Sequence, residues 1–547
     1  MSLRDDVARI VKGGVADDAE TLKKCSRDAS IFERMPRIVA FPNDADDVSA
    51  LVKFAHDAKE RGENISLTAR AAGSDMSGGP LTDSIVVSFT KHMNRILEIG
   101  YDTCAAESGI YYRVLEKATL KLNGRIIPPY PASRGLCALG GMLANNCGGE
   151  LTLQYGKMND WVRELGVVLS DGSQSTFGPL SEDELEAKKK EQTLEGEIYR
   201  RIHKLIEENE SEITAAKPTV SKNSAGYALW NVWDKKNRIF DLTQLIVGSQ
   251  GTLSLITRAR MALKKPEAHK AMLVIFLSDL IALPEVVRRV RAFYPESFES
   301  YDNHTFKLAA QFAGDFLQQM GWRDAIRLAF AFLPEVWLMV TGGVPKLVLL
   351  AEFAEDSDFT ARDKAREARL AVKDLPVKSR LAFGMMEEKY WKIRRESFSL
   401  LRKHIHDLAA APFIDDIVVH PDDYPRFLPE LNSLLSQYDI SYTIAGHIGD
   451  GNFHIIPLVD LKRTEHHKII LELTPKVYEL VTKYNGSITG EHNDGIIRTP
   501  YLRLMFSPRM IDIFAEIKNI FDPLNIFNPG KKVGGTVEDI VRLMKNT

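Results

Sequence analysis

Three histidines and a glutamate, His447, His454, His492 and Glu491, lie in two short segments with turn-forming residues near the end of the chain. His447 and His454 flank an Asp-Gly dipeptide, which is typical of a tight hairpin turn. If Gly449 pairs with Asn452, His447 lies directly opposite His454, and cross-strand partners have Cβ atoms about 4.5–5.5 Å apart on one face. The pattern therefore predicts two imidazoles that can bind one metal ion, although two core histidines would fit the same hairpin.

The third histidine and the glutamate are adjacent, in the segment TGEHNDG at residues 489–495. Glu491 offers a carboxylate and His492 a third imidazole at another transition from strand to turn. Two histidines and one carboxylate form a catalytic ligand set that leaves positions open for a substrate. Zinc is the metal that this set favours, and manganese, iron and cobalt also suit it. A metal-dependent hydrolase could use the same residues.

Small residues are concentrated in three loops in the first half of the chain. Residues 70–79 read RAAGSDMSGG, residues 139–150 read LGGMLANNCGGE and residues 248–253 read GSQGTL. Successive backbone N–H groups in such loops can converge on an anion, and glycine lets the backbone approach a flat ligand closely. No GxGxxG or Walker sequence is present. Together the loops predict a large, extended cofactor, whereas the first loop alone could equally be a flexible turn.

The elements that must position these motifs are predicted from the hydrophobic pattern, which mixes helical and strand periodicity. The pattern restarts near residue 265, which predicts a boundary between two α+β lobes. Residues 180–213 are dense in Glu and Lys and predict a pair of solvated helices. The predicted strands are 66–68, 85–89, 165–169, 272–277 and 347–353, and the predicted helices are 49–59, 284–293 and 356–372.

The composition is that of an ordinary globular protein. Of 547 residues, 44% are hydrophobic and 27% charged, and 71 Lys+Arg against 74 Asp+Glu give a formal charge of −3. This balance argues against a nucleic-acid or anionic-membrane surface as the main binding partner. The four cysteines, none spaced as CxxC, exclude a disulfide scaffold, a cysteine zinc ribbon and a thiol-bound iron–sulfur cluster.

The sequence predicts neither a signal peptide nor a transmembrane segment. The first residues, MSLRDDVARIVKGG, carry acids and lack an apolar stretch, and no run reaches about 18 uncharged apolar residues. Residues 328–350 are the most apolar stretch, but Pro334, Glu335 and Lys346 interrupt it, so we expect buried core there. We expect a cytoplasmic protein, at most peripheral to a membrane.

With these motifs the chain resembles the FAD-dependent D-2-hydroxyacid dehydrogenases, a group that includes D-lactate dehydrogenases, D-2-hydroxyglutarate dehydrogenases and the flavin-binding chains of glycolate oxidases. They belong to the vanillyl-alcohol-oxidase/PCMH flavoprotein superfamily, and the resemblance covers residues 36–533. It implies a PCMH-type FAD-binding domain at residues 1–265. It also implies an FAD-linked oxidase C-terminal domain at residues 266–547, where a ferredoxin-like sheet with helices serves substrate and metal. Residues 520–547 are expected to return to the FAD lobe.

The same resemblance implies a set of FAD-binding residues. Residues 70–79 are expected to wrap the pyrophosphate, 131–149 to line the ribityl chain and isoalloxazine, and 248–253 to close the site. Because Ser74 stands where covalently flavinylated relatives often have histidine, non-covalent FAD is expected. Gln250 and Ser254 differ from the usual GSEGTLG pattern without removing a backbone donor. The expected residues are Arg70, Ala72, Gly73, Ser74, Asp75, Met76, Ser77, Pro131, Ser133, Gly140, Gly141, Ala144, Asn145, Gly148, Gly248, Gly251, Thr252, Asn528 and Lys531.

By resemblance, His447, His454 and Glu491 match divalent-metal ligands, His492 the catalytic base, and Arg394 the arginine that binds the substrate carboxylate. The usual GEHGIG reads GEHNDG here, so the turn differs while ligand and base are kept. The implied reaction oxidises a D-2-hydroxy acid to a 2-oxo acid. The metal stabilises the alkoxide, the histidine takes the hydroxyl proton, and the Cα hydride passes to flavin N5.

The substrate is expected to be a D-2-hydroxy monocarboxylate with an apolar tail, of the size of lactate or larger. Relatives that act on 2-hydroxyglutarate have polar groups where this chain has Phe398, Ile414 and Ile456, and a second carboxylate buried among apolar side chains would be costly. A D-2-hydroxyglutarate or glycolate dehydrogenase, a non-redox flavin transferase of the alkyl-glycerone-phosphate synthase kind, and a flavin-binding scaffold subunit are the alternatives.

The sequence does not name the electron acceptor. A flavin that has accepted two electrons must release them, and a chain without its own cluster has to pass them to an external acceptor or another subunit. The candidate acceptors are a quinone, an electron-transfer flavoprotein, a cytochrome and an iron–sulfur subunit. A homodimer is compatible with the sequence.

Overall fold

A computed structural model describes residues 2–303, 344–404 and 408–545, with backbone alone at 396–404. The chain begins with a four-stranded sheet in which three neighbouring strands are parallel. A short antiparallel strand adds to one edge. The strand order is Val15–Ala16, Ile38–Ala40, Ile85–Ser88, Leu67–Arg70.

A second, antiparallel sheet follows, with five strands. Its strand order is Ile96–Ile99, Thr103–Glu107, Leu255–Ala262, Val162–Val168, Gln174–Phe177. A small three-stranded sheet lies beside it, in the order Trp233–Asp234, Ile239–Asp241, Pro179–Ser181.

The later part of the chain forms one antiparallel eight-stranded sheet among the described residues. Its main path runs through Lys378–Ala382, His269–Leu277, Leu347–Glu355, Ser297–Asp302, Ser441–His447, Asn452–Val459 and Ala409–Ala410. The eighth strand, Ile417–Val418, pairs with Asn452–Val459 off this path. The sheets change between Ala262 and His269, which supports our proposal of a domain boundary near residue 265.

Helices cover these sheets. The helix Ala45–Glu60 begins at Asp44, whose side chain accepts a hydrogen bond from the backbone of Asp47 and so satisfies a free N–H group of the first turn. The α-helices are Leu3–Ala8, Ala19–Cys25, Ala45–Glu60, Tyr112–Asn123, Leu139–Asn145, Thr152–Tyr155, Met158–Trp161, Glu182–Lys190, Leu194–Glu208, Glu210–Ala216, Thr243–Ile246, Leu283–Arg291, Asp358–Ala371, Met385–His404, Tyr424–Leu435, Thr464–Lys483, Gly495–Arg498, Leu502–Met505, Pro508–Phe521 and Val537–Leu543.

The sequence and the structure differ at the charged stretch 180–213. It contains parts of three helices rather than two, and Leu194–Glu208 buries Ile198, Tyr199 and Ile202 in the main core instead of being solvated all round. Its apolar residues recur at three- and four-residue steps, which is the spacing of a helix with one buried face. Most of the predicted core segment 328–350 lies outside the described residues.

The end of the chain completes the first lobe. Ile526 and Phe527 belong to the core of the parallel sheet, where the backbone of Leu67 bonds to Ile526 and Asn528. Further on, Lys545 donates a backbone hydrogen bond to Ile31. These contacts support the predicted return of residues 520–547. Within the ranges that the structure describes, no helix has the length and apolar character needed to cross a membrane.

Candidate functional site

Five segments between residues 297 and 491 lie next to one another in one half of the large sheet and beside it. Strand Ser297–Asp302 pairs with Ser441–His447, which pairs with Asn452–Val459, which pairs with Ile417–Val418. Val418 in turn forms a bridge with Ser487, three residues before the Gly490-Glu491 pair. This pairing brings carboxylates and imidazoles from separate segments to one place.

The histidine hairpin has a different register from the one that the sequence predicted. His447 pairs with Asn452 and His454 with Ala445, two residues away from direct opposition. The turn is longer than Asp-Gly because residues 448–450 form a 3-10 turn that ends at Gly451, with φ of +77°. A shift of two residues keeps side chains on the same face, so the two rings still lie 5.2 Å apart, centroid to centroid.

Glu491 joins the two histidines. Its Oε1 lies 3.2 Å from Nε2 of His447 and 3.2 Å from Nε2 of His454. Its buried Oε2 has no hydrogen-bond partner among the described residues, and Nζ of Lys222 lies 3.8 Å away. Burial opposes the charged form of Glu491, but Lys222 and His447 hold its pKa well below the usual value. Two imidazole nitrogens therefore face an ionised carboxylate, as predicted for a metal site.

A second grouping of possible ligands overlaps this one. One atom each from Asp416, His454, Glu491 and His492 lie within 4.8 Å of one another. However, Oδ2 of Asp416 already accepts hydrogen bonds from the backbone of Glu491 and of His492 and from a threonine hydroxyl. Asp416 also has φ of +66°. We therefore infer that Asp416 stabilises the loop at residues 489–492. His447, His454 and Glu491 stay the predicted metal ligands.

Asp415 bridges one proposed ligand and the proposed base. Its Oδ1 lies 3.0 Å from Nδ1 of His454, and its Oδ2 lies 2.8 Å from Nδ1 of His492. The two imidazole rings stack with centroids 5.1 Å apart. Nδ1 of His492 and Oδ2 of Asp415 lie at ion-pair distance without the angles of a hydrogen bond, whereas Nδ1 of His454 is hydrogen-bonded to Oδ1. A neutral imidazole that donates from Nδ1 to a carboxylate presents an unprotonated Nε2. This is the form that can bind a metal or accept a proton.

The buried carboxylates also change the histidine pKa values. Burial lowers the pKa of His454, but Asp415 and Glu491 outweigh it and raise that pKa to about 10. Burial likewise opposes the charge on His492, while Asp416 and Asp415 raise the pKa of His492 above its usual value. A nearby divalent cation would favour the neutral imidazoles in place of these protons.

Glu299 makes the corresponding bridge on the other side. Its Oε1 lies 2.5 Å from Nδ1 of His447, and its Oε2 accepts from Nε and Nη2 of Arg394 at 3.1 and 3.0 Å. Burial would raise the pKa of Glu299, but His447 and Arg394 lower it overall. Glu299 thus fixes a proposed metal ligand and the proposed substrate arginine together.

One cavity of about 790 Å³ connects these residues with the glycine loops. His447, His454, Glu491, His492 and Arg394 line one end of it. Most of the predicted FAD-binding residues line the rest, namely Ala72, Gly73, Ser74, Asp75, Met76, Pro131, Ser133, Gly140, Gly141, Ala144, Asn145 and Gly251. The cavity is thus large enough for an extended cofactor beside a small substrate.

The other predicted FAD-binding residues lie behind the cavity wall and hold the loops. Arg70 donates to backbone carbonyls near the N-terminus, and Asn528 donates to the carbonyls of Gly79 and Gln250. Lys531 donates to the carbonyl of Leu81. The other predicted FAD-binding residues that do not line the cavity are Ser77, Gly148, Gly248 and Thr252.

Two residues that depart from the family motifs, Gln250 and Asn493, each bond to the other altered segment. Gln250 accepts from the backbone of Gly495 and donates to Ser77 and Asn145, which a glutamate could not do. Asn493 donates to the carbonyl of Gly248. The unusual GEHNDG turn is therefore tied directly to the third glycine loop.

The three apolar positions predicted around the substrate do not all lie at the cavity. Ile456 lines it, whereas Ile414 is fully buried in the main core and is not part of the lining. The side chain of Phe398 lies outside the described residues. Beside Ile456 the wall carries Thr443 and Ala445.

Sequence reasoning missed Asp415, Glu299 and Lys222. Asp415 and Asp416 follow the apolar run APFI and precede IVV, and a pair of acids inside such a run signals buried carboxylates that need partners. Glu299 offers a similar signal within SFESYD. Nothing in the sequence says which histidines these carboxylates meet, because sheet pairing brings them together.

Comparisons with known proteins identify two matching domains and several relatives of the whole chain. A model of the FAD-binding domain matches residues 36–178, and a model of the C-terminal domain of FAD-linked oxidases matches residues 265–532. D-2-hydroxyglutarate dehydrogenase of Pseudomonas putida is 27% identical over 95% of this chain and 50% of that protein. D-lactate dehydrogenase of Archaeoglobus fulgidus is 26% identical over 97% of this chain and 99% of that protein.

The chain therefore spans about half the length of several curated relatives, including the P. putida protein. Among solved structures, 4-ethylphenol oxidase from Gulosibacter chungangensis has a TM-score of 0.68 at 15% identity, covering 98% of this chain and 97% of that one. Alkyldihydroxyacetonephosphate synthase has a TM-score of 0.66 at 15% identity, covering 96% and 86%. These likenesses show the PCMH-type α+β fold. The chain belongs to the FAD-linked oxidases and carries their FAD-binding and C-terminal domains.

Proposed function

We propose that this protein oxidises a D-2-hydroxy monocarboxylate to the 2-oxo acid, using non-covalent FAD and a divalent metal ion. The observation that carries the proposal is the single cavity. It joins the glycine loops of the FAD-binding domain to the cluster of His447, His454, Glu491 and His492. A redox cofactor, a metal ion and a substrate could therefore be in contact with one another.

The donor set fits a metal ion. Two imidazoles present their Nε2 atoms to one carboxylate, and that carboxylate retains an unbonded buried oxygen among the described residues. Carboxylates behind His447 and His454 fix the orientation of both rings, as is common for ligating histidines. We propose zinc as the metal because two histidines and a glutamate form a catalytic zinc set.

Each residue near the cluster has a role in the proposed reaction. Bound FAD supplies a two-electron acceptor, and a bound divalent ion supplies a Lewis acid that favours the alkoxide. Arg394, held by Glu299, lines the cavity and is the arginine to which we assign binding of the substrate carboxylate. His492, oriented by Asp415, takes the hydroxyl proton at Nε2.

The wall beside the metal cluster supports a monocarboxylate. Ile456 and Ala445 offer no partner to a second carboxylate, and Thr443 offers only a neutral hydroxyl. Arg395 also lines the cavity, but Glu150 already neutralises it through two hydrogen bonds. We therefore propose substrates the size of D-lactate or D-2-hydroxybutyrate.

An anaerobic visible titration tests the proposal. The purified protein should be yellow, and D-lactate or D-2-hydroxybutyrate should bleach its flavin while the L-enantiomers do not. Bleaching should slow at least about tenfold after metal chelation and in His492→Asn. A colourless protein would favour a metal hydrolase, and a flavin that no hydroxy acid reduces would favour a non-redox transferase or scaffold. Higher kcat/KM for D-2-hydroxyglutarate than for both monocarboxylates would contradict the proposed substrate class.

A further inference from the structure

A second arginine lines the cavity and takes no part in the mechanism above. Arg395 follows Arg394 on the helix Met385–His404, and Glu150 lies opposite it in the second glycine loop. Nε of Arg395 donates to Oε2 of Glu150 at 3.0 Å, and Nη2 donates to Oε1 at 2.5 Å. This two-pronged contact is the one that a substrate carboxylate would make with an arginine.

The pair is held firmly in place. The hydroxyl of Tyr130 donates to Oε1 of Glu150 at 3.0 Å, and the guanidinium of Arg395 lies 4.4 Å from the centre of the Trp391 ring. The Glu150 side chain is 10% exposed and that of Arg395 is 38% exposed. The carboxylate of Glu150 is therefore held in place and forms an ion pair with Arg395 at the cavity surface.

Other charges near Arg395 are already engaged. Glu352 attracts it, but Glu352 is bonded to Lys270 and to the indole of Trp391. Among the described residues, no carboxylate other than Glu150 hydrogen-bonds to Arg395. Removing the Glu150 charge would thus leave a guanidinium at the cavity wall without a bonded anion.

The pair also lies close to the reacting end of the cavity. Arg395 is the neighbour of the proposed carboxylate-binding arginine. Glu150 is two residues after Gly148, where an added Cβ would lie 3.1 Å from Oε2 of Glu491. Both members of the pair also line the cavity that contains Arg394 and the metal cluster, so a substrate bound there shares one cavity with this pair.

We propose that Glu150 determines specificity by occupying Arg395, where the distal carboxylate of a D-2-hydroxy dicarboxylate would otherwise bind. This inference rests on the proposed function. In the wild type, a dicarboxylate brings a second negative charge towards the Glu150 carboxylate and is rejected. Without that charge, Arg395 becomes a binding site for the distal carboxylate.

The test is Glu150→Gln, which keeps the size of the side chain and an oxygen that can accept from Tyr130. We expect the ratio of kcat/KM for D-2-hydroxyglutarate to that for D-2-hydroxybutyrate to rise at least about tenfold, since a charged two-pronged contact replaces repulsion. Most of the gain should be in KM for the dicarboxylate. Glu150→Asp should keep a low ratio, and Glu150→Gln combined with Arg395→Met should abolish the gain.

The outcomes separate this inference from the function on which it rests. If the wild type reduces its flavin with no D-2-hydroxy acid, the proposed function fails. If the wild type oxidises D-2-hydroxybutyrate but Glu150→Gln leaves the ratio unchanged, the function stands and Glu150 has no role in specificity. A lower melting temperature with an unchanged ratio would show that the pair is only a structural link between the two domains, and would overturn the proposal.

Discussion

Replacing Asp415 by asparagine is the sharpest test of the site geometry. Asp415 offers one oxygen to Nδ1 of His454 at 3.0 Å and the other to Nδ1 of His492 at 2.8 Å. Asparagine has one accepting oxygen and one donating NH2 group, so one imidazole must face the NH2 with an unprotonated Nδ1. That ring then carries its proton on Nε2 and can no longer bind the metal or act as the base.

The expected loss of activity depends on which of the two imidazoles changes its tautomer. A weakened metal ligand typically costs about 10- to 100-fold in affinity or activity, and a base fixed in the wrong tautomer costs up to about 10⁴-fold. We therefore expect flavin reduction to slow by about 10- to 10⁴-fold, which is about 1.4 to 5.4 kcal/mol of transition-state stabilisation. The side chain is fully buried, so water cannot replace the lost contact.

Stopped-flow measurement of flavin bleaching by a saturating D-2-hydroxy acid, without oxygen, gives this rate directly. Metal content, measured on the same sample, shows whether the ligand or the base was lost. Asp422→Asn is the matched control, because Asp422 pairs with His420 at the exposed surface and should leave the rate unchanged. An Asp415→Asn protein with the wild-type rate and full metal content would refute the bridging role.

Three further predictions concern the metal, the second glycine loop and a buried lysine. A chelator should slow flavin bleaching at least about tenfold and leave the flavin spectrum unchanged, and added Zn²⁺ should restore the rate. The control is His56→Ala, in the surface group of possible ligands His56, Asp57 and Glu60, which should not alter the metal content. Gly149→Ala should lower the free energy of unfolding by about 1–3 kcal/mol and reduce FAD occupancy, because the added Cβ would lie 2.1 Å from the carbonyl oxygen of Tyr130; unchanged melting temperature and occupancy would contradict this. Burial, aided by Arg34, lowers the pKa of Lys531 to about 7 from the usual 10.5. Between these two pH values the unfolded chain binds more protons than the folded one. The free energy of unfolding should therefore rise with pH in that range. Denaturant titrations of the wild type should gain about 1.5 kcal/mol from this group between pH 7 and 8.5, and Lys531→Met should lack that gain; equal slopes would disprove it.

The sequence predicted those features that depend on local pattern. The helix at 49–59 corresponds to Ala45–Glu60, and the strand at 347–353 to Leu347–Glu355, because periodicity and capping residues are local properties. The two histidines of the hairpin were placed on the correct face, since side chains in a strand alternate. Their register was wrong because the 3-10 turn at 448–450 lengthens the loop.

Features that depend on long-range pairing could not be predicted. Glu299 is close to His447 only because strand Ser297–Asp302 pairs with Ser441–His447, a contact across about 150 residues of sequence. Asp415 reaches His454 and His492 through a short strand of two residues, which has no periodicity to recognise. The proposed roles of the individual residues stay predictions until the variants above are measured.

The contact between Leu67 and residues 526–528 has a consequence for how the protein is made. Ile526 and Phe527 fill the core of a sheet whose other strands were synthesised more than 400 residues earlier. A ribosome adds roughly 5–20 residues each second, so the emerging amino-terminal part waits on the order of half a minute with this core incomplete. We expect FAD to be captured only after that wait, which makes newly made chains, rather than finished ones, the molecules that depend on chaperones.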